Sequence, residues 1–342
     1  MFTMTLSKAK EAIITCMKAR LVPFLQSSPG VGKSSGVNSI GNEYGLKVID
    51  VRLSSLEPTD LQGLPWFNNG KAQFQPFDLF PLESTPIPKG YSGWILFLDE
   101  FNSASRAVQA AAYKVVLDRM IGNHKLHDKC FIICAGNKTS DNAITTRLST
   151  AMLSRLVHIN LEVDFEDWRD NFAIPNSIDE RIIAYLSMYP KKLMEFDPER
   201  EDQTFACPRT WEFVSKLIKA NNGIVNNDFT PVLAGAITGE HASAFVQFCK
   251  VYKNLITVKD IVKNPSITPP KDTATLWAIV IHLIYSTTLE NYKEVFQFVQ
   301  KIPTTLQVVY FRSVPKYTPA LMTNPEFASQ IQTLSQWFFG ED

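Results

Sequence analysis

Neither sign of charge predominates in this sequence: 34 Lys and Arg residues are matched by 34 Asp and Glu, for a formal net charge of zero. Such a chain has no long-range attraction to nucleic acid or to an anionic membrane surface, and the balance disfavours a DNA-binding protein unless a local basic patch forms. Cysteine is scarce and odd in number, with Cys16, Cys130, Cys134, Cys207 and Cys249 far apart among apolar neighbours. This usage excludes a disulfide framework and reads as buried thiols in a reducing compartment. Cys130 and Cys134 have no second Cys/His pair nearby to complete a zinc site, and the five histidines do not cluster. Long apolar runs are also missing. The longest, Leu276 to Tyr285, is broken by His282 and falls short of the roughly 20 residues that span a bilayer. It reads as a core helix. The opening Met1-Phe2-Thr3-Met4 has no basic stretch followed by an apolar one, so no secretory signal is expected and the protein reads as cytoplasmic.

What is present is a globular composition, 45% hydrophobic and 11% aromatic, over 342 residues. That length accommodates one large α/β domain and a smaller helical one. The first half alternates short apolar runs with helical patterns, the signature of a parallel sheet with helices on both faces. Five strands are expected, at Leu21 to Gln26, Lys47 to Leu53, Trp94 to Leu98, Phe131 to Ala135 and Val157 to Leu161. Trp94 to Leu98 is apolar throughout, as in a central strand buried on both sides. Pro23 lacks a donor, so the first strand should pair fully only after it. Between the second and third strands, Trp66 to Phe74 reads as a hairpin around Asn69-Gly70, a type I′ turn. Beyond about Val163 the strand signals end, and helices are expected at Glu180 to Tyr189, Arg209 to Ala220, Gly239 to Val251, Thr273 to Ser286, Asn291 to Gln300 and Pro325 to Phe339. Asn264 to Lys271, with Pro265 and Pro269-Pro270, is the expected linker within this half.

The chemistry concentrates at the strand ends. Ser27-Ser28-Pro29-Gly30-Val31-Gly32-Lys33-Ser34 follows the first strand and precedes a stretch able to form a helix, which is the P-loop pattern with Ser27 standing where its first Gly is expected. Glycines let backbone N–H groups turn inward around phosphate oxygens, and the helix start adds its positive end. Lys33 would reach the β- and γ-phosphates of ATP, Ser34 would ligate Mg²⁺, and the binding stretch runs from Ser28, Pro29, Gly30, Val31 and Gly32 to Ser35. The apolar strand ending in Asp99-Glu100 supplies a second carboxylate function: Asp99 to hold Mg²⁺ and Glu100 to orient and deprotonate water. Asn137, ending Phe131-Ile132-Ile133-Cys134-Ala135-Gly136-Asn137, is an amide able to bond the attacking water or the γ-phosphate. Arg147, Arg155 and Arg209 are candidate guanidinium partners for charge that develops on the γ-oxygens.

These signals, in this order, resemble the AAA+ ATPases, and within them the MoxR or dynein-related group. The resemblance implies a P-loop NTPase αβα domain over residues 1–165 with a helix-2 insert hairpin at about 61–81, a helical lid over 166–255 and a C-terminal helical extension over 256–342. It implies that Arg155, or Arg147 at the same boundary, acts as a finger on a neighbouring subunit's ATP, that Arg209 is the lid-helix sensor, and that Asn137 is the sensor asparagine. Asn102 and Gln109 fit the group's pattern as well. It further implies a homo-oligomer, most often a hexameric ring, that couples hydrolysis to remodelling of a protein partner, with a von Willebrand factor A-type protein as companion. The alternative is a nucleic-acid-dependent motor or loader, which would call for basic residues on the insert, where only Lys71 is found. A nucleotide-binding assembly subunit that hydrolyses little is a third reading, against which Lys33, Asp99 and Glu100 together argue. The hairpin aromatics Trp66, Phe67 and Phe74 could contact a substrate, line the ring, or pack on their own domain.

Overall fold

The computed structural model describes residues 2–141, 146–199, 202–252 and 256–338. The chain divides into two compact units, one of Met1–Asn171 with Phe196–Glu201 and Cys207–Arg209, the other of Phe172–Glu195, Asp202–Ala206 and Thr210–Asp342.

In the first unit, strands β1 (Thr3–Met4), β2 (Val22–Ser27) and β3 (Leu46–Arg52) alternate with helices α1 (Leu6–Lys18) and α2 (Lys33–Glu43). A short helix α3 (Pro58–Gln62) leads into the hairpin β4 (Leu64–Asn68) and β5 (Lys71–Gln75). The chain then runs through β6 (Gly93–Asp99), α4 (Arg106–Asp118), a small ribbon β7 (Met120–Ile121) and β8 (His124–Lys125), and β9 (Cys130–Asn137). Helix α5 (Thr150–Leu153), β10 (Leu156–Leu161) and α6 (Phe165–Trp168) complete the unit's continuous part.

The sheet is parallel, in the order β1-β10-β2-β9-β6-β3. All five expected strands form, and the expected count of five becomes six because Thr3–Met4 adds to the edge beside Asn160 and Leu161. Two residues carry no periodicity, so pattern could not find that strand. Pro23 behaves as expected on one side only: pairing with β9 starts at Phe24, whereas on the β10 side Val22 and Pro23 are already paired. Between β9 and β3, Trp94 to Leu98 of β6 is buried at every position, because helices cover both faces. Leu96 and Leu98 pack with Val108, Ala111, Ala112 and Val115 of α4, which is N-capped by the Ser105 hydroxyl accepting from the Val108 N–H. The hairpin turn has both positive φ values, 49° at Asn69 and 74° at Gly70, that a type I′ turn requires.

The second unit is helical. It contains α7 (Glu180–Met188), α8 (Pro208–Ala220, whose first residues belong to the first unit), α9 (Thr230–Ile237), α10 (Gly239–Tyr252) and α11 (Val258–Lys263). It continues through α12 (Thr273–Ser286), α13 (Tyr292–Val299), α14 (Thr304–Tyr317) and α15 (Pro325–Phe338). The six expected helices are present, α9, α11 and α14 are additional, and Phe339 lies outside the described residues. Tyr185, Trp211 and Phe245 meet with ring centroids 5.5 to 5.7 Å apart at one core, and Tyr292, Phe296, Phe311 and Phe327 form another. The apolar run ending at Tyr285 is part of α12, and among the described residues no helix is long and apolar enough to cross a membrane.

Candidate functional site

The site begins where β2 ends. The loop to α2 turns through Gly30 (φ 79°) and Gly32 (φ 105°), conformations that a side chain would strain. A Cβ on Gly30 would also collide with the Cys207 thiol, which belongs to the same unit. Ser27 adopts no positive φ, so a glycine is not required there. Its hydroxyl donates to the Ser28 carbonyl at 2.8 Å and accepts from Lys33 Nζ at 3.0 Å, which explains how the loop tolerates the departure from the pattern. Pro29 precedes Gly30, Val31 separates the two loop glycines, and Ser35 is exposed on the first turn of α2. No side chain caps α2 and its first turn carries no acid, so the unpartnered N–H groups of a helix start face the loop and favour an anion there.

Lys33 Nζ also donates to the Ser27 carbonyl at 3.3 Å and to Asn137 Oδ1 at 3.2 Å. Burial pushes its pKa down to about 8; the Asp99 carboxylate acts against that shift, and the Arg209 guanidinium adds to it. The ammonium therefore keeps its proton at neutral pH. Ser34 Oγ donates to Asp99 Oδ2 at 3.2 Å, while Asp99 Oδ1 accepts from the Glu100 N–H at 2.8 Å. Glu100 is left-handed at φ 56°, which turns its side chain off the line of β6, and its carboxylate accepts a hydrogen bond from Ser54 in the turn after β3. Asp50 on β3 has its pKa raised by burial first and then by the negative field of Asp99 and Glu100.

Among the described residues no group of three or more His, Cys, Asp or Glu side chains could hold a metal ion alone. The hydroxyl–carboxylate pair of Ser34 and Asp99 suits Mg²⁺, which takes one or two protein oxygens and completes its shell with phosphate and water. The acidic field that raises Asp50 is the field a cation would relieve. The donor set fits.

Strand β9 lies between β2 and β6, so Asn137 comes opposite Ser27 at the same sheet end. Sequence order alone could not place it there. The arginines separate. Arg209 donates its backbone N–H to the Gly30 carbonyl at 3.2 Å, so it stands beside the P-loop of its own chain. Arg155 is exposed just before β10, donating to the Ala151 carbonyl at 2.7 Å with its guanidinium 5.5 Å from the centre of the Tyr113 ring. Arg147 is exposed too. Sequence reasoning missed Ser54 as the partner of Glu100. A serine after a strand carries no signal of its own until strand order is known.

Residues 24–161, from Phe24 in β2 to the end of β10, match the family model for "ATPase family associated with various cellular activities (AAA)". The match covers this stretch alone. It contains Lys33, Ser34, Asp99, Glu100, Asn137, Arg147 and Arg155, while Arg209 falls outside the matched residues. No curated protein matches the chain. Among solved structures, a candidate ATPase from Cytophaga hutchinsonii is 12% identical over 96% of this chain and 88% of its own, with a TM-score of 0.36. NtrX from Brucella abortus is 15% identical over 65% of this chain and 52% of its own, with a TM-score of 0.37.

Proposed function

We propose that the matched stretch is an AAA domain that hydrolyses ATP and that the chain works as a ring-forming remodeller of the MoxR type. One observation carries the reading: Lys33, Asn137 and the Ser34–Asp99 pair converge at the carboxyl ends of three adjacent strands, with Lys33 Nζ 3.2 Å from Asn137 Oδ1 and Ser34 Oγ 3.2 Å from Asp99 Oδ2. Lys33 and the loop amides bind the phosphates. Ser34 and Asp99 hold Mg²⁺, whose charge neutralises phosphate oxygens when it is bound. Glu100 takes a proton from water as its oxygen bonds to the γ-phosphorus, the bond to the β-phosphate oxygen breaks and ADP leaves. Asn137 bonds the γ-phosphate, and Arg209 adds positive charge from the same chain. Arg155, with Arg147 as the second candidate, serves the ATP of the neighbouring subunit.

In this reading residues 166–255 are the lid, 256–342 a helical extension, and the insert at about 61–81 meets the remodelled protein. Trp66 and Phe67 are 62% and 75% exposed, which supports a contact surface rather than packing on the parent domain. Lys71 is the one charged residue between Leu64 and Gln75, which favours a protein partner over nucleic acid. A cytoplasmic ring assisted by a von Willebrand factor A-type protein completes the proposal.

Glu100→Gln tests it. The variant should bind ATP as the wild type does and lose at least about a hundredfold in turnover, because the amide cannot accept the proton. Turnover retained at the wild-type rate would remove Glu100 as the base.

A further inference from the structure

Asn102 is 3% exposed, and the reaction proposed above makes no use of it. Its side-chain amide grips one residue of β9 at both polar groups: Nδ2 donates to the Asn137 carbonyl at 2.7 Å, and Oδ1 accepts from the Asn137 N–H at 3.1 Å. On that edge the ladder between β6 and β9 has already ended, its last pair being Leu98 and Cys134. An amide side chain offers one face with a donor and an acceptor, as a peptide group does. Asn102 therefore stands in for one more residue of β6.

Gly136 completes the fit. A Cβ at that position would collide with Asn102 Oδ1 and come within 3.0 Å of Phe24 Cζ. Gly136 has no positive φ, so close approach of the Asn102 amide, and not a turn, accounts for the glycine. The Asn102 main chain is anchored in turn, because its carbonyl accepts from the Thr146 N–H at 2.6 Å. On the opposite edge of β9, Ser27 pairs with Asn137. Held from both edges, Asn137 presents Oδ1 to Lys33 Nζ at 3.2 Å.

We propose that Asn102 is a positioning residue for hydrolysis, acting through Asn137 by fixing its backbone so that the side chain stays aimed at the phosphate-binding lysine. The proposal rests on the reading of the site as an ATPase. Misplacing a positioned group by about 1 Å can cost on the order of a hundredfold in rate, so the effect is measurable.

The test uses the full chain and measures ATP turnover, nucleotide affinity and far-UV circular dichroism for wild type, Asn102→Ala, Asn137→Ala, the double variant and Asn102→Asp. Asn102→Ala should lower kcat about ten- to a hundredfold while nucleotide affinity changes by less than about threefold. The double variant should be no slower than Asn137→Ala, since the two substitutions remove one function. Asn102→Asp adds a readout that simple loss of packing would not move. A protonated carboxyl can donate to the Asn137 carbonyl and an ionised one cannot. Its turnover relative to wild type should therefore fall as pH rises, with a titration that Asn102→Ala lacks. Losses that multiply in the double variant would overturn the proposal. So would wild-type turnover in Asn102→Ala, or kcat and affinity falling together in step with the folded fraction. A wild-type chain that neither binds nor turns over nucleotide would overturn the ATPase reading, and the role of Asn102 with it.

Discussion

Lys33 holds a charge in a place that resists charge, and its binding chemistry follows from that conflict. Burial lowers its pKa to about 8, against an ordinary value of 10.5. A bound polyphosphate would favour the protonated form, so nucleotide affinity should weaken as pH rises above about 8, approaching tenfold per unit until the complex itself loses the proton. Folding linkage has the opposite sign. Between about 8 and 10.5 the unfolded chain binds this proton more tightly than the folded one, so the Lys33 contribution to stability rises with pH over the same window. Calorimetric titration of nucleotide from pH 7 to 10, run beside thermal melts of the nucleotide-free chain, separates the two trends. Lys33→Ala should abolish the affinity trend along with binding. The residue types at this site were readable directly, because a phosphate loop needs its glycines and lysine within a few consecutive positions.

At the scale of elements, two glycines make opposite predictions. Gly63, which joins α3 to β4, sits at φ 92° and ψ 170°, and a Cβ there would stand 2.6 Å from the Gln75 carbonyl oxygen. Gly63→Ala should cost about 1–3 kcal/mol, since strain and collision both fall at the base of the hairpin. Gly235 lies in the middle of α9, and a Cβ added to it would meet nothing within 4 Å. Gly235→Ala should stabilise by roughly 0.5–1 kcal/mol by restricting the unfolded backbone. Thermal melts of both variants check the pair, and a stable Gly63→Ala would show that the hairpin base can shift freely. The hairpin itself followed from Asn69-Gly70, because a two-residue turn is encoded where it forms. The additional helices were harder. Helix α14 contains Pro315, which discourages a helical reading even though the helix forms around it.

At the scale of the whole molecule, the question is whether one chain is a complete enzyme. Arg155 is exposed and bonded to its own turn through the Ala151 carbonyl, and it takes no part in the hydrogen bonds that join Lys33 to Asn137 and Ser34 to Asp99. An arginine supplied by a neighbour is worth roughly 10³- to 10⁵-fold in phosphoryl transfer. In the proposed ring, with Arg155 serving the neighbouring subunit, turnover per subunit should therefore fall steeply on dilution. Arg155→Ala should lose about a thousandfold at any concentration while keeping nucleotide affinity. A per-subunit rate that stays flat down to the monomer, measured beside sedimentation velocity, would assign the function to a single chain.

The sequence alone determined the chemical inventory and its setting at strand ends, because a phosphate loop, an apolar central strand and a two-residue turn are each written in adjacent residues. The tertiary structure alone decided adjacency. Insertion of β9 between β2 and β6 brings Asn137 to Lys33 across 104 positions, Ser34 to Asp99 across 65 and Asn102 to Asn137 across 35. The physical reason is that a strand's neighbours in a parallel sheet depend on the order in which crossovers pack. That order is set by the burial of whole faces, and no local run of residues contains it.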